Sequence, residues 1–398
     1  MKLLYLIADG MGGWPLDELG GKTTMEAAVT PNMDELAATG VVGLARTVPE
    51  GMAPGSDVAN MALLGFDPAR YHTGRGPIEA AAQGLKLGPD DLVWRLNLVT
   101  VSELSIDGMM RDYSSGHIAT EVSRPIMETL QKKLGNDMFT FHPGVQYRHL
   151  LVQKDGANSD EAGFNINPPH DITDKSVKFD LRAYSRSTYL WDLIFEARDI
   201  LENRDVNPSK ANAIWPWGQG RPLALPDFRE AFALRGAVIS AVDLIKGLGN
   251  ASNMDVINVE GATGLLDTNY EGKVEATLNY LKDHDFAFVH LEGPDECGHG
   301  GNAAEKVEAI SRFDARIVAP LRRALAGQDV GYIVTCDHFT PIEKRTHTSD
   351  AVPFLINGTG CAPSGVAAFS ESLAASSGLT LDKGFELLPY ALRQLGLK

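Results

Sequence analysis

Two short polar segments of the sequence carry side chains that could do chemistry. The first, HLEGPDECGHGGN, contains Asp295 and His299, and the second, VTCDHFTPIEKRTHTSD, contains Asp337, His338 and His347. An Asp and a His four positions apart can direct both side chains to one metal ion. The side chains of an adjacent pair diverge, so Asp337 and His338 could serve two ions. Each pattern alone is also typical of an ordinary polar loop.

Two further polar residues lie where catalytic groups are common. Asp9 follows the apolar segment LLYLIA and precedes Gly10, a pattern that alone indicates a turn. Ser56 in APGSDVANMALLGF stands at a predicted helix start, where its ordinary role is that of an N-cap. The amides of a helix N-terminus also attract phosphate, so an N-cap and a nucleophile are compatible.

Taken together, these residues fit a site for two divalent cations. Carboxylates and imidazoles are hard and borderline ligands, which suit such ions. Two cations a few ångströms apart stabilise the attacking and leaving oxygens of a phosphoryl transfer. Their charge exceeds that of Asp9, Asp295 and Asp337, and the surplus favours both an ionised Ser56 and a bound phosphoryl dianion. A serine hydroxyl needs such activation because it is a poor nucleophile at neutral pH.

The rest of the chain alternates apolar strands with helices. Leu3 to Ala8 is typical of a buried strand, and TPNMDELAATG and SDVANMALLGF carry helix start and stop signals. The alternation resumes after about residue 183 and continues to the end of the chain. It predicts an α/β domain with a mainly parallel sheet and helices on both faces. Such sheets bind ligands at the carboxyl ends of their strands, where the candidate residues lie.

Residues 87–182 have a different pattern. Alternating strands such as WRLNLVTV and YRHLLVQK, with Asp-Gly turns, surround one predicted helix from Ala119 to Leu134. We expect a smaller α+β domain inserted there. Residues 1–86 and 183–398 would then build the metal-binding domain.

The composition narrows the range of partners. The net charge of −16 argues against nucleic acid or an anionic membrane, since both require a basic surface. The three cysteines have no framework spacing, which indicates a reducing compartment, and we expect a cytoplasmic location. No apolar segment approaches the roughly 18 residues of a membrane span, and the N-terminal segment is interpreted as a strand rather than a signal peptide. The sequence gives no indication of the oligomeric state.

The motifs carry a family resemblance. The order of Asp9, Ser56, the Asp-x-x-x-His pair, the Asp-His pair and His347 resembles the alkaline phosphatase superfamily. The segments LIADGMGG, APGSDVANMALLGFDP, YHTGRGPIEAAAQG, WPWGQGRP, GATGLLDTNYEGK and HLEGPDECGHGGN are similar to the archaeal-type 2,3-bisphosphoglycerate-independent phosphoglycerate mutases. The resemblance covers nearly the whole chain.

That resemblance implies an alkaline-phosphatase-like fold and a glycolytic isomerase. Its reaction moves a phosphoryl group from the 3- to the 2-hydroxyl of glycerate through a phosphoserine, here at Ser56. It also implies two divalent ions, Mn²⁺ or Mg²⁺, with Zn²⁺ as a further alternative. Matching positions assign Asp9, Ser56, Asp337 and His338 to one ion, and Asp295, His299 and His347 to the other.

The substrate residues are also implied by the resemblance. His117 in SSGHIATE matches a proton-transfer histidine of the insert, and Arg148 in QYRHLL matches a substrate arginine. Lys273 in YEGKVE matches a lysine that reaches the phosphoryl group from the metal-binding domain. Arg111 and Arg221 are further candidates that could equally be solvated surface residues. In that family the insert closes over the small phosphorylated substrate.

Other functions use the same set of residues. A branch of the family has been proposed to pass the phosphoryl group to homoserine, and the insert would make that choice of acceptor. A phosphomonoesterase would require water to reach the phosphoserine, which closure of the insert opposes. A non-catalytic metal-binding protein would not need the complete ligand set.

Overall fold

The computed structural model describes residues 1–397. Contacts between its Cα atoms divide them into two compact units. Unit 1 comprises residues 1–72 and those from 224 onward, and unit 2 comprises residues 73–223. Within the described residues, each helix is either too short or too polar to cross a membrane.

Thirteen strands lie in the described part of the chain. In chain order they are β1 Lys2–Ala8, β2 Val41–Ala45, β3 Leu92–Val101, β4 Met110–Asp112, β5 Phe139–Val145, β6 Arg148–Gln153, β7 Ala213–Gly220, β8 Gly236–Ile239, β9 Asp255–Ile257, β10 Phe286–Leu291, β11 Val330–Thr335, β12 Val352–Asn357 and β13 Thr380–Leu381.

Sixteen α-helices are found in the same residues. They are α1 Thr24–Ala27, α2 Pro31–Ala38, α3 Ser56–Leu63, α4 Pro68–Tyr71, α5 Arg75–Ala82, α6 Thr120–Leu134, α7 Lys178–Tyr184, α8 Thr188–Leu201, α9 Phe228–Phe232, α10 Asp243–Ala251, α11 Tyr270–Tyr280, α12 Gly293–Gly300, α13 Ala303–Phe313, α14 Ala319–Ala324, α15 Glu371–Ser376 and α16 Leu387–Gln394. Short 3-10 helices and a π-helical turn, Asp314–Val318, complete the helical segments.

Unit 1 is built on an eight-stranded sheet. Its strand order is β13-β2-β12-β11-β1-β10-β8-β9. The pairings are parallel except those that β12 makes with β11 and β2. Every residue of β10 and β11 is buried, as is all of β1 after its first residue. Since successive side chains point to opposite faces, both faces of the sheet are covered. The predicted α/β fold with a mainly parallel sheet is confirmed.

The local signals explain why several elements begin where they do. In α2, Pro31 occupies the first turn, where its missing N–H costs no hydrogen bond, and Asp34 lies near the positive end of the helix dipole. Helix α6 begins one residue after the predicted start and ends at Leu134 as predicted. Its apolar residues Ile126, Met127 and Leu130 face the core of unit 2.

Unit 2 contains an antiparallel sheet. Its strands follow the order β4-β3-β6-β5, and β7 pairs with β3 along the other side. The alternation of β3 separates two faces: Trp94, Leu96 and Leu98 belong to the larger core, whereas Val93 packs with Ala80 of α5. Residues of β3 therefore contribute to both hydrophobic clusters of unit 2.

Unit 2 is larger than the insert expected at residues 87–182. Helix α5 packs against β3 and β7, and β7 pairs antiparallel with β3. Residues 183–223, which the alternation of strands and helices assigns to the metal-binding domain, thus belong to the second unit. The reason is a strand pairing between residues more than a hundred positions apart, which local patterns do not encode.

Candidate functional site

The first candidate ligands meet because three neighbouring strands end at the same edge of the sheet. β1 lies between β10 and β11 and runs parallel to both. Asp9 directly follows β1, and His290 stands near the end of β10 in register with Ile7. Asp337 lies two residues beyond the end of β11. Parallel strands place their carboxyl ends together, so residues far apart in the chain become neighbours.

Asp9, His290 and Asp337 form a compact set that we call the first group. One ligand atom from each lies within 4.8 Å of the others, and all three residues are buried. Nε2 of His290 is 3.1 Å from Oδ2 of Asp9. The Gly10 amide donates to Oδ1 of Asp337 over 3.1 Å, and Nδ2 of Asn60 donates to its Oδ2 over 2.8 Å. These bonds fix the Asp337 carboxylate.

The first group fits a cation. Burial raises the pKa of Asp9 well above its ordinary value, and the nearby charges of Asp337 and Asp295 raise it further. Oδ1 of Asp9 and Nε2 of His290 are buried and have no hydrogen-bond partner among the described residues. Buried polar atoms are rarely left without a partner, and buried carboxylates repel one another unless a positive charge intervenes. A divalent ion would satisfy both requirements.

Asp295, His338 and His347 form the second group. One ligand atom from each lies within 4.8 Å of the others. Asp295 lies in the first turn of α12, which follows β10, and His299 stands one turn later on the same helix. Nε2 of His299 is 3.1 Å from Oδ2 of Asp295 and 3.0 Å from Nε2 of His347. The Asp-x-x-x-His spacing therefore converges as expected, because the two residues share one face of α12.

The electrostatics of the second group favour an ionised aspartate. Burial opposes ionisation of Asp295, but hydrogen bonds with His299 and His347 outweigh it and hold the pKa of Asp295 well below its ordinary value. The hydrogen bond to Asp295 raises the pKa of His299 to about 9. The Thr340 hydroxyl donates to Oδ1 of Asp295 and lies 3.3 Å from Nδ1 of His338.

His338 stands between the two groups. Its Nε2 lies 3.1 Å from Oγ of Ser56, 3.4 Å from Oδ2 of Asp337 and 3.5 Å from Oδ1 of Asp9. Its ring also lies against that of His347, with centroids 3.9 Å apart. The ring of His338 is therefore near both groups, and the assignment of each residue to one ion stays a prediction. His338 falls in the second group, and His290 joins Asp9 and Asp337.

Ser56 is the first residue of α3 and does not act as its N-cap. Gly55 occupies the cap position, so the expected capping role is not observed. The Ser56 hydroxyl faces the ring of His338 instead. Asn60, one turn later, donates through Nδ2 both to the Ser56 carbonyl and to Asp337. This shared amide couples the position of the serine to that of a candidate ligand. The first amides of α3 have no intrahelical acceptor, which suits an anion beside Ser56.

A buried lysine connects the loops that carry the ligands. Nζ of Lys306, on α13, donates to the carbonyl of Gly12 over 2.9 Å and to that of Thr340 over 2.8 Å. The Thr340 amide donates to the same Gly12 carbonyl over 3.2 Å. Gly12 belongs to the loop after Asp9, and Thr340 to the loop after His338. Burial lowers the pKa of Lys306 to about 8.

Lys273 lies on α11 in unit 1 and is almost completely buried. Its Nζ donates to the carbonyl of His290 over 2.7 Å. Burial lowers the pKa of Lys273 to about 8, although the charge of Glu292 opposes that shift. In this conformation the ammonium is bonded to the backbone of the strand that carries His290.

In unit 2 the structure brings His117 and Arg148 to one aromatic cluster. The His117 ring meets Tyr113 and Tyr147 edge-on, with centroids 6.2 Å apart in each case. The guanidinium of Arg148 lies over the ring of Tyr147 at 5.5 Å. His117 has a left-handed backbone with φ of 51°, which is rare outside glycine and is often found at functional positions.

The other two candidate arginines form exposed ion pairs within unit 2. Nη1 of Arg111 lies 3.3 Å from Oδ1 of Asp174. Nη1 of Arg221 lies 3.1 Å from Oδ1 of Asp90, and its Nη2 donates to Asn158. Neither pair involves His117 or Arg148.

Several residues of the candidate site were not predicted from the sequence. His290 had a detectable signal, because it is the one polar residue in the buried strand FAFVHL. Asn60, Thr340 and Lys306 had none. A polar residue in an amphipathic helix or a loop is ordinarily interpreted as exposed, and only the fold buries these three.

Comparisons with known proteins point in one direction. Residues 37–207 match the family model described as 2,3-bisphosphoglycerate-independent phosphoglycerate mutase. A Methanosarcina barkeri protein of the same description is 46% identical over 398 residues, which cover 98% of each chain. A Pyrococcus horikoshii structure aligns with 100% of this chain and 98% of its own, at 28% identity and a TM-score of 0.83. A cofactor-independent phosphoglycerate mutase from Thermoplasma acidophilum aligns over 100% of both chains, at 27% identity and a TM-score of 0.65.

Proposed function

The chain belongs to the 2,3-bisphosphoglycerate-independent phosphoglycerate mutases, and from this membership we propose that Ser56 carries the phosphoryl group during catalysis. The enzyme is an isomerase of glycolysis that interconverts 3-phosphoglycerate and 2-phosphoglycerate. Without bisphosphoglycerate, the phosphoryl group that leaves one hydroxyl must be held by the protein before it reaches the other. The glycolytic reaction also supports the expected cytoplasmic location.

One observation carries this proposal. The Ser56 hydroxyl lies 3.1 Å from Nε2 of His338, and that ring stands between the two groups of carboxylates and imidazoles. Ser56 is also at the start of α3, and the N-terminus of a helix favours an anion. A nucleophile beside such groups is the arrangement that phosphoryl transfer requires, because the reaction depends on positioning and on stabilising negative charge.

The proposed reaction has two transfers. In the first, Oγ of Ser56 attacks phosphorus as the alkoxide that bound cations would favour, and the bond between phosphorus and O3 of glycerate breaks. O3 takes a proton from His117. In the second, the 2-hydroxyl returns a proton to His117 and attacks the phosphoserine, and the bond between phosphorus and Oγ of Ser56 breaks to release the same alkoxide. Atoms and charges balance over the cycle. Water must be excluded between the two transfers, since it would hydrolyse the phosphoserine.

The two groups would hold divalent cations, for which we propose Mn²⁺ or Mg²⁺. Bound ions would lower the pKa of the serine hydroxyl and offset the charge of the phosphoryl oxygens. The residues proposed for this role are Asp9, Ser56, His290, Asp295, His299, Asp337, His338 and His347. Carboxylate-rich sites suit hard ions of this kind better than thiol-rich sites do. Cys297 and Cys336 are buried beside the ligands, where burial raises the pKa of both thiols and keeps them protonated.

On the substrate side we propose His117 for proton transfer and Arg148 and Lys273 as cations. His117 and Arg148 share an aromatic cluster in unit 2, which supports a common role. Arg111 and Arg221 hold surface carboxylates, so the proposal rests on the other residues.

A phosphopeptide experiment tests the nucleophile. The enzyme is incubated with Mn²⁺ and 3-phosphoglycerate, quenched in acid, and digested for mass spectrometry. The peptide that contains Ser56 is expected to carry phosphate, and Ser56→Ala is expected to lose both this signal and the formation of 2-phosphoglycerate. The matched control is Ser376→Ala on the exposed end of α15, which should behave as the parent does.

The outcomes separate the alternatives. Full activity of Ser56→Ala in an enolase-coupled assay would contradict the phosphoserine. Release of inorganic phosphate in place of 2-phosphoglycerate would indicate a phosphomonoesterase. Formation of phosphohomoserine when homoserine is added would indicate the other acceptor.

A further inference from the structure

Ser240 lies directly after β8 and beside the candidate ligand His290 of β10. The two strands run parallel, and Ile239 at the end of β8 pairs with Val289. Ser240 and His290 are the next residues along each strand, so their side chains leave the sheet on the same face. Oγ of Ser240 lies 3.3 Å from Nδ1 of His290. The strand pairing therefore brings a hydroxyl to the ring nitrogen that does not face Asp9.

Both side chains of this contact are buried. Ser240 is 3% exposed and His290 is completely buried. A buried polar atom without a partner costs free energy, so Nδ1 depends on a group inside the protein. Ser240 is the hydrogen-bond partner that the described residues provide for it. The main chain of His290 is held separately, because Nζ of Lys273 donates to its carbonyl. Ser240 is thus the residue that controls the ring itself.

The contacts of the Ser240 hydroxyl indicate which nitrogen of His290 carries the proton. The Val242 amide donates to Oγ over 3.0 Å. A serine oxygen can accept two hydrogen bonds, and an N–H at Nδ1 of His290 would supply the second. The opposite tautomer would have its proton on Nε2, which lies 3.1 Å from Oδ2 of Asp9 yet makes no hydrogen bond with the described residues. The geometry therefore favours a proton on Nδ1 and a lone pair on Nε2.

A lone pair on Nε2 faces the carboxylate of Asp9 across 3.1 Å. Two acceptors at that distance repel each other unless a positive charge lies near both. Asp337 adds a second carboxylate to the same buried group. The tautomer that Ser240 favours is therefore unfavourable in the protein alone and is suited to a bound cation.

We propose that Ser240 is a positioning residue of the candidate metal site, which accepts a hydrogen bond from Nδ1 of His290 and so presents Nε2 to a cation shared with Asp9 and Asp337. This inference rests on the proposed function, in which the first group holds a divalent ion. A metal-binding histidine commonly donates its other ring N–H to an oxygen atom. That bond fixes the tautomer and the orientation of the ring and makes the binding nitrogen more basic.

Ser240 also has an ordinary structural role. Its hydrogen bond with the Val242 amide closes a turn of the kind that serine often forms with the residue two positions later. Helix α10 begins directly after that turn, at Asp243. Loss of the hydroxyl would disturb the turn whether or not His290 binds a metal. An effect on the fold must therefore be separated from an effect that passes through His290.

Mn²⁺ binding and stability are both measured, starting from metal-free enzyme. Electron paramagnetic resonance follows the titration with Mn²⁺, and melting curves without metal report stability. Ser240→Ala removes the hydroxyl, and Ser240→Thr retains it. The matched control is Ser252→Ala, because Ser252 lies in the same unit and is also buried. Its hydroxyl donates to the carbonyls of Leu248 and Gly249 rather than to a candidate ligand.

Ser240→Ala is expected to weaken Mn²⁺ binding at one site about 10- to 100-fold, the usual effect of losing the partner of a metal-bound histidine. Ser240→Thr should restore the parent affinity. Ser252→Ala should lower the melting temperature but leave the Mn²⁺ affinity unchanged. If Ser240→Ala fails to fold, Ser240→Cys takes its place, since a thiol has a similar shape but accepts hydrogen bonds weakly.

A double variant shows whether Ser240 acts through the imidazole. His290→Asn removes the ring, and Ser240→Ala is then added to it. If the inference holds, the double variant binds Mn²⁺ as His290→Asn does, because no ring is left to orient. Losses of affinity that multiply in the double variant would show that Ser240 acts elsewhere and would overturn the inference. An affinity of Ser240→Ala equal to that of Ser252→Ala would overturn it as well.

The proposed function is checked in the same samples through the Ser56 phosphopeptide formed with 3-phosphoglycerate. A parent enzyme that binds no Mn²⁺, or that forms no phosphopeptide, would contradict the proposed function itself. A parent that does both, together with unchanged Mn²⁺ affinity in the Ser240 variants, would contradict only the positioning role of Ser240.

Discussion

Nε2 of His299 lies 3.0 Å from Nε2 of His347, so two imidazole nitrogens face each other beside the carboxylate of Asp295. Only one of them can donate a hydrogen bond to the other, and both can bind a cation. Imidazole nitrogens bind divalent transition metals at about 2.0–2.1 Å. Two imidazoles on one ion would therefore bring their nitrogens about as close together as these two are. This pair therefore extends the candidate cation site around Asp295 and His347.

Chelation is expected to lower both the stability and the activity of the enzyme. Ligands from several loops converge in unit 1, so ion binding stabilises the folded state over the unfolded one. The stabilisation is about 3 kcal/mol for one site when free Mn²⁺ is about 100 times its Kd. Calorimetric melting with EDTA, and again after Mn²⁺ is restored, measures it. An unchanged melting temperature with full activity in EDTA would contradict a metal site.

Asp9→Asn should act in opposite directions with and without metal. In the metal-free protein, burial and the charges of Asp337 and Asp295 disfavour an ionised Asp9, so the neutral amide should stabilise the fold by about 1–2 kcal/mol. With Mn²⁺, the same variant loses a ligand and should gain less stability from the ion. Melting curves at several Mn²⁺ concentrations separate the two effects. Asp17→Asn, at an exposed position of unit 1, is the control. An Asp9→Asn variant with a lower metal-free melting temperature and an intact response to Mn²⁺ would refute this account.

Lys306→Met should weaken Mn²⁺ binding at the candidate metal site, although Lys306 is not itself a candidate ligand. The substitution keeps the apolar stem but leaves the carbonyls of Gly12 and Thr340 without the ammonium donor. Relief of the buried charge offsets part of this loss, and we expect a net destabilisation of about 1–4 kcal/mol. Urea unfolding measures the stability, and Mn²⁺ titration followed by electron paramagnetic resonance measures the affinity, which should also fall. Lys383→Met on the surface is the control. Unchanged Mn²⁺ affinity would show that the lysine has no role in positioning the ligand loops.

His149 should make unit 2 sensitive to acid. It is buried in β6, where its Nδ1 accepts from the Gly144 amide over 3.0 Å, and burial lowers its pKa from 6.5 to about 3. Between these values the unfolded chain binds a proton that the folded protein does not. The contribution of neutral His149 to the free energy of unfolding is therefore fully present above pH 6.5. It is lost as the pH falls towards 3, with a slope of up to about 1.4 kcal/mol per pH unit.

His149→Gln removes this titration and should flatten the slope. Urea unfolding followed by tryptophan fluorescence is suited to the measurement, because Trp94, Trp191, Trp215 and Trp217 lie in unit 2 and only Trp14 lies in unit 1. His284→Gln in unit 1 is the control. Equal slopes for the parent and His149→Gln would exclude His149 as the cause.

Much of the fold could be predicted because its signals are local. The apolar segment from Leu3 to Ala8 forms the central strand β1, and the capping and periodicity signals of α2 and α6 locate those helices within one or two residues. The strands β3 and β6 follow from their alternation. The boundary of unit 2 could not be predicted in this way. It depends on the pairing of β7 with β3, and β7 carries the same local pattern as a strand of the other sheet.

The sequence by itself determined which residue types were available and that they lie at strand ends, so it predicted a two-metal site, a serine nucleophile and the α/β fold. Only the tertiary structure decided which candidate ligands lie together. It places His290 beside Asp9 and brings His338 close to both the first and the second group. It also buried Lys306 between two loops, where its ammonium donates to the Gly12 and Thr340 carbonyls. The physical reason is that distances between side chains, and the solvation of each charge, depend on which distant segments pack together. Local periodicity and capping report only on neighbours along the chain.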